Sequence, residues 1–204
     1  MKTKEFLLSQ SNKPLSYRLL ADCYYLPDEK LLGRLRDSKS LLNGLLSKLI
    51  ENTPANEELK SLTVDFSMLF VGPFKLLAPP YGSIYLDSGN EVMGNSTISV
   101  RKLYEQEYLK IGLKEMPDHI AIELEFMHYL AVKEANADNG NLKDEVLNYR
   151  KKQLLFLSEH LGSWIDEFSV RVDKNAQTQF YKTLAKVSRA FIHDDLQSLR
   201  LKNC

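Results

Sequence analysis

The stretch MPDHIAIELEFMHYL, from Met116 to Leu130, carries the helical period on which the fold class turns. With His119 as origin and about 100° per residue, one apolar arc runs from about 300° round to about 140°. Ile122, Phe126, Leu130, Met127, Ile120, Ala131 and Leu124 fill it. Pro117 precedes the helix, and Asp118 is the expected N-cap, a carboxylate able to accept from a first-turn amide. Two polar residues interrupt the arc. His119 and Glu123, the latter at about 40°, stand one turn apart among Phe126, Met127 and Leu130. A charge buried alone is costly, so the pair must satisfy each other, meet another segment or line a cleft. A satisfied polar pair tying this helix to the Pro- and Gly-rich segment over 73–95 and a ligand-facing site both fit.

Helical periodicity dominates on either side. PLSYRLLADCYYLP begins with Pro14, where the missing N–H costs least. PDEKLLGRLRD and SKSLLNGLLSKLIEN follow, the latter stopping before Thr53-Pro54. NEELKSLTVDFSMLFVGP places Leu59, Leu62, Phe66, Leu69 and Phe70 on one stripe and ends at Gly72-Pro73. Such a stripe is core far more often than binding surface, and Asp65 lies at its edge. Beyond the centre, STISVRKLYEQEYLKIG is expected to be capped by Ser96 or Thr97 and closed by Gly112. After the opening helix come NLKDEVLNYRKKQLLFLSEHLG, ending at Gly162, a short WIDEFSVRV helix capped by Ser163, and QTQFYKTLAKVSRAFIHDDLQSLRLK.

Between them the character changes. PFKLLAPPYGSIYLDSGNEVMGN is rich in Pro and Gly and has no helical period. GSIYLD could form a short strand, but no second run offers it a partner, so the segment reads as a long ordered loop. Loops of this length are usually functional or disordered, and Phe74, Tyr81, Tyr85 and nearby Phe70 argue for order. The expected fold is all-α: one domain over 1–204 with eight or nine helices. Its N-terminal helical part covers about 1–72, the loop 73–95 and the C-terminal helical part 96–204.

Lys plus Arg and Asp plus Glu number 27 each, so no net field draws in nucleic acid. Two cysteines, Cys23 and the terminal Cys204, give no disulfide framework, which fits a reducing compartment. The apolar run near the start is too short for a signal-peptide core, and none is long enough to span a bilayer. A cytoplasmic protein without membrane insertion is expected.

No phosphate-binding glycine loop and no nucleophile–base arrangement is present, and Cys23 sits among helix-core residues. The enzymatic alternative is a metal-dependent helical bundle built on Glu-x-x-His pairs. Glu125 and His128 form one such pair, but a second is missing. At about 240° and 180° they lie opposite the apolar arc, on an expected solvated face. No metal and no cofactor is expected.

Three segments in order, DFSMLFVGP (Asp65 to Pro73), APPYGSIYL (Ala78 to Leu86) and PDHIAIELEFM (Pro117 to Met127), together resemble the TorD/DmsD/NarJ family. FLSEHLGSW (Phe156 to Trp164) fits the same pattern. The resemblance covers most of the chain. It implies a non-enzymatic cytoplasmic chaperone that binds the twin-arginine signal peptide of a molybdenum oxidoreductase. The immature client would be of the DMSO, TMAO or nitrate reductase type. The family's aromatic-x-x-Leu-Phe element is matched by Phe66, Leu69 and Phe70, its Pro-aromatic-Gly-Ser element by Pro80, Tyr81, Gly82 and Ser83, and its Asp-His pair by Asp118 and His119. Many relatives carry Trp where this chain has Phe66 and Tyr81.

The chemistry suits that task. Arginine forks pair bidentately with carboxylates, which makes Asp65, Asp118 and Glu123 arginine acceptors by expectation. Phe66, Leu69, Phe70, Tyr81 and Tyr85 would supply the apolar wall of a groove for a helical leader, with His119 donating to peptide carbonyls or orienting Glu123. A generic helical scaffold whose motifs are only core is the remaining reading. The long loop permits domain swapping, but mainly monomer is expected.

Overall fold

The computed structural model describes residues 12–41, 45–54, 58–72, 76–87, 93–110 and 115–202. Phe74, Gly112 and Cys204 lie outside them. The helices are α1 (Lys13–Cys23), α2 (Glu29–Asp37), α3 (Leu45–Glu51), α4 (Leu59–Phe66), α5 (Ser83–Leu86), α6 (Asn95–Gln106), α7 (Ile120–Asn139), α8 (Lys143–Glu159), α9 (Leu161–Asn175) and α10 (Gln179–Lys202). The fold is all-α, as its periodicity predicts. Among the described residues there are ten α-helices, one more than the upper expectation, because Ser83–Leu86, expected as part of the long loop, forms the single helical turn α5.

Helix α7 is the spine. α1 lies along it, joined by Lys13 to Glu134 at 3.3 Å and by His128 Nδ1 to the Pro14 carbonyl at 2.8 Å. Lys13 also reaches Gln153 at 2.6 Å and Asp195 at 3.3 Å, and the Tyr17 hydroxyl donates to Asp195 at 2.7 Å. One ammonium thus ties α1 to α7, α8 and α10. Asn141, with φ of 56°, turns α7 into α8, and α8 passes through a break at His160 directly into α9. α10 then packs along α9 and crosses α3 and α8.

The buried apolar residues form one cluster running from Tyr17 to Leu199. Trp164, Tyr17, Tyr24, Tyr181, Phe156, Phe168 and Phe180 are its largest fully buried members, each contributing roughly 2–3 kcal/mol by burial. The α4 stripe belongs to this core. Leu62, Phe66, Leu69 and Phe70 are buried, and Phe70 meets Tyr24, Phe168 and Tyr181 at ring centroid distances of 5.9, 6.1 and 5.6 Å. Its C-terminal end widens into a π-type turn over Ser67–Val71, which stops at Gly72 with φ of 49°. The outer face, Val64, Met68 and Val71, stays exposed.

Several helix ends differ from expectation. His119, not Asp118, is the N-cap of α7, because its Nδ1 accepts from the Ala121 amide at 3.1 Å while the Asp118 carboxylate is taken elsewhere. At α6 neither Ser96 nor Thr97 caps; Asp87, across the loop, accepts from the Ser96 amide and hydroxyl at 3.2 and 2.8 Å. α6 also ends before Gly112, since Tyr108 adopts a φ of 57°. α9 begins at Leu161, so α8 does not run to Gly162. Ser163 lies inside the first turn of α9, donating to the His160 carbonyl at 2.5 Å.

Candidate functional site

Two of the sequence motifs meet in space. The backbone of Tyr81 forms an isolated antiparallel bridge with His119. The Gly82 amide donates to the Asp118 carbonyl at 2.9 Å, and the Ile120 amide donates to the Pro80 carbonyl at 2.8 Å. The Asp118 side chain adds a third tie, accepting from the Ser83 amide at 2.8 Å through Oδ2. The Tyr85 hydroxyl closes the segment on itself by donating to the Pro79 carbonyl at 2.8 Å. From the other side, the Tyr104 hydroxyl holds the Pro117 carbonyl at 2.9 Å. Paired backbone and charge-assisted bonds of this kind fix a loop that has no regular structure of its own.

Beneath the bridge lies Glu123. It is 1% exposed, and its Oε2 accepts from the Trp164 indole N–H at 3.1 Å. Gly82 sits directly above: a Cβ there would approach Trp164 Nε1 to 3.0 Å and Glu123 Oε1 to 3.4 Å. The site therefore demands the smallest residue for packing, its φ of −58° being ordinary. Tyr85 stacks on Trp164 with centroids 5.4 Å apart and planes 17° apart. Glu123 Oε1, Asp118 Oδ1 and Ser83 Oγ are buried without a hydrogen-bond partner among the described residues.

The electrostatics follow from burial. Burial pushes the Glu123 carboxyl well above its usual range; the indole bond opposes this and Asp118 adds to it. Burial likewise lowers His119 to about 4, against the pull of Asp118. Its Nδ1 already accepts a hydrogen bond, so the ring is neutral with its proton on Nε2. His119 lies between two phenols, 5.3 Å from Tyr81 edge-to-face and 6.2 Å from Tyr25 in a stack.

Of the sequence-predicted residues, Pro80, Tyr81, Gly82, Ser83, Tyr85, Asp118, His119 and Glu123 gather here. Phe66, Leu69 and Phe70 support the site from inside: Leu69 O accepts from the Ala78 amide at 3.0 Å, and Phe70 touches Phe168, which also meets Tyr85 and Trp164. Asp65 is elsewhere. Buried at 2% exposure, it accepts from the Gln177 amide and from the Thr178 amide and hydroxyl, the last two at 2.7 Å. It thus caps α10. Only Tyr81 and Tyr85 of the set reach the surface in part.

Sequence reasoning missed Tyr25, Glu115, Trp164 and Arg171. Glu115 is partly buried, its carboxyl raised by desolvation, and has no ion-pair partner among the described residues. It is near enough to Tyr25 and Tyr81 to add to the burial-driven rise of both phenols. Trp164, the one tryptophan, was the available signal, since a lone indole at the end of a quoted motif needs a partner for its N–H. Glu125 and His128 form a face that is only partly solvated. They turn toward α1, where Glu125 meets Arg18 at 3.4 Å and His128 the Pro14 carbonyl. Among the described residues no three metal-ligating side chains converge.

Comparison with known proteins gives a consistent picture. The family model described as nitrate reductase delta subunit matches residues 34–170. A chaperone protein TorD from Vibrio cholerae is 30% identical over 176 residues, covering 85% of this chain and 76% of its own. A Tat proofreading chaperone DmsD from Haemophilus influenzae is 30% identical over 130 residues, 62% of this chain and 56% of its own. In fold, the chain resembles a crystal structure from Archaeoglobus fulgidus described as a redox enzyme maturation protein. The TM-score is 0.61 and the identity 22%, with 88% and 93% of the two chains covered.

Proposed function

The chain belongs to the nitrate reductase delta subunit family, the TorD/DmsD/NarJ family that its motifs resemble, and on that premise we propose that it is a chaperone for a molybdenum-cofactor oxidoreductase. It binds the twin-arginine signal peptide of the immature enzyme in the cytoplasm and holds it until the cofactor is inserted, before export. The single core cluster supports reading the chain as one domain.

The observation that carries the binding role is the bridge between Tyr81 and His119, which joins two motifs far apart in sequence and leaves Tyr81 part-exposed within electrostatic reach of Glu115. A fixed aromatic near a carboxylate that has no cation partner among the described residues is chemistry suited to an arginine fork. In this arrangement Tyr81 and Tyr85 form the peptide face and Glu115 accepts an arginine. Asp118, His119, Gly82, Ser83, Glu123 and the Phe66–Phe70 stripe act beneath as the frame. Asp65 acts through α10.

Calorimetry with a synthetic twin-arginine leader tests this. Saturable binding is expected, weakened about tenfold when the two arginines become lysines. Absence of saturable binding, or equal binding of both peptides, would refute it.

A further inference from the structure

Residue Arg171 stands over the Tyr85 ring with its guanidinium carbon 4.8 Å from the centroid. The same guanidinium meets Glu167 Oε1 at 2.6 Å. Tyr85 is held rigidly: Trp164 stacks on it, Phe168 meets it edge-on, and its hydroxyl is bound to the Pro79 carbonyl. Trp164 and Arg171 are seven positions apart on α9, about 10.5 Å of helix rise. That is the spacing of a slot for one ring with room on its outer face for a planar cation.

We infer that Tyr85 and Glu167 form a guanidinium-binding subsite, filled in the unliganded protein by the chain's own Arg171. The aromatic face and the carboxylate supply the two features a guanidinium recognises, and the ring is already in place. The occupant is easily exchanged. The Arg171 and Glu167 side chains are 38% and 57% exposed, so neither charge is stranded in the interior when they part. An arginine side chain entering from solvent regains the same cation–π contact and the same carboxylate while Arg171 swings into water. That the natural entrant is an arginine of the client's leader rests on the function proposed above; the subsite itself does not.

Titration with N-acetyl-arginine amide, followed by the fluorescence of Trp164, tests the subsite without any signal peptide. Trp164 is the one tryptophan in the chain and stacks on the ring concerned. Arg171→Gln is expected to bind the amide about tenfold more tightly than wild type, the combined worth of an exposed ion pair and a cation–π contact. Adding Glu167→Gln should abolish the gain, and N-acetyl-lysine amide should bind more weakly. Arg171→Ala, with circular dichroism on every variant, guards against a folding effect of glutamine. Equal affinity of wild type and both Arg171 variants, or a gain that survives Glu167→Gln, overturns the inference. A failed leader titration with a successful amide titration would refute the proposed function alone.

Discussion

Trp164 donates its indole N–H to the buried Glu123 carboxyl at 3.1 Å, and the second carboxyl oxygen has no hydrogen-bond partner among the described residues. An acid so placed is stable in its neutral form. Its folded pKa lies above the ordinary 4.5, so the folded state binds more protons than the unfolded chain once pH exceeds about 4.5. Glu123 therefore lowers stability as pH rises from there toward its folded pKa. Glu123→Gln should remove that decline while costing about 1 kcal/mol or less at low pH, where the native carboxyl is neutral in both states. Trp164→Phe should cost about 2–3 kcal/mol by leaving the carboxyl unsatisfied. Urea unfolding at several pH values checks both.

His119 works in the opposite direction. Its pKa falls from 6.5 to about 4, so the unfolded chain binds the extra proton as pH drops below 6.5. Stability from this residue is present above 6.5 and lost down to about pH 4, by up to about 3 kcal/mol. The main cause is burial, which disfavours the charged ring, and protonation also removes the Nδ1 acceptor that caps α7. His119→Asn keeps a capping side chain without a titrating ring. It should flatten the acid limb of the stability profile while leaving the neutral-pH value within about 1 kcal/mol.

Gly82 is the tightest point of the bridge. Gly82→Ala presses a methyl against the Trp164 indole and the Glu123 carboxyl. Overpacking of this kind costs about 1–3 kcal/mol. Because Trp164 is also the sole indole fluorophore, its emission should shift in the folded variant, and an unchanged spectrum and melting temperature would mean that the loop yields freely.

The helices were legible because period and stop signals are local: Gly72 stops the π-type turn that continues α4, and the apolar arc of α7 points into the core as the wheel predicts. A wheel gives direction within one helix but not what that direction meets. Glu123 and His119 read alike on it, yet one turns to an indole 41 residues away and the other caps its own helix. Asp65 looked like an anion beside a binding stripe because its partners lie more than a hundred positions further on. Glu125 and His128 read as solvated because only the docking of α1 covers them. That polar residues of α7 tie it to the loop was one of two readings of the wheel, but which groups meet was not legible. The ties run through the Asp118 carboxylate and the backbone of Pro80, Gly82 and Ile120.

Asp65 gives a test that separates folding from binding. Its carboxylate satisfies the Gln177 and Thr178 amides and the Thr178 hydroxyl in the turn just before α10. Asp65→Ala should cost about 2–4 kcal/mol in urea unfolding, more than an ordinary cap because the donors are several and the acceptor is charged. Once folded, the variant should bind a twin-arginine leader within about threefold of wild type. A tenfold loss at full folding would instead make Asp65 part of the binding face.

The sharpest division is between the exposed face and its frame. Tyr81→Ala and Glu115→Gln remove part-exposed groups that hold no backbone amide among the described residues, so each should weaken leader binding about tenfold with melting temperature nearly unchanged. Asp118→Ala acts differently. It frees the Ser83 amide and loosens the Tyr81 bridge, so affinity and stability should fall together, the latter by about 2 kcal/mol. His119→Ala should follow the same pattern through the lost cap. Calorimetry paired with thermal melts distinguishes the two classes. If Asp118→Ala and His119→Ala, folded by circular dichroism, bind the leader as tightly as wild type, the bridge does not set the peptide face. If Tyr81→Ala and Glu115→Gln bind it unchanged, the face lies elsewhere on the molecule.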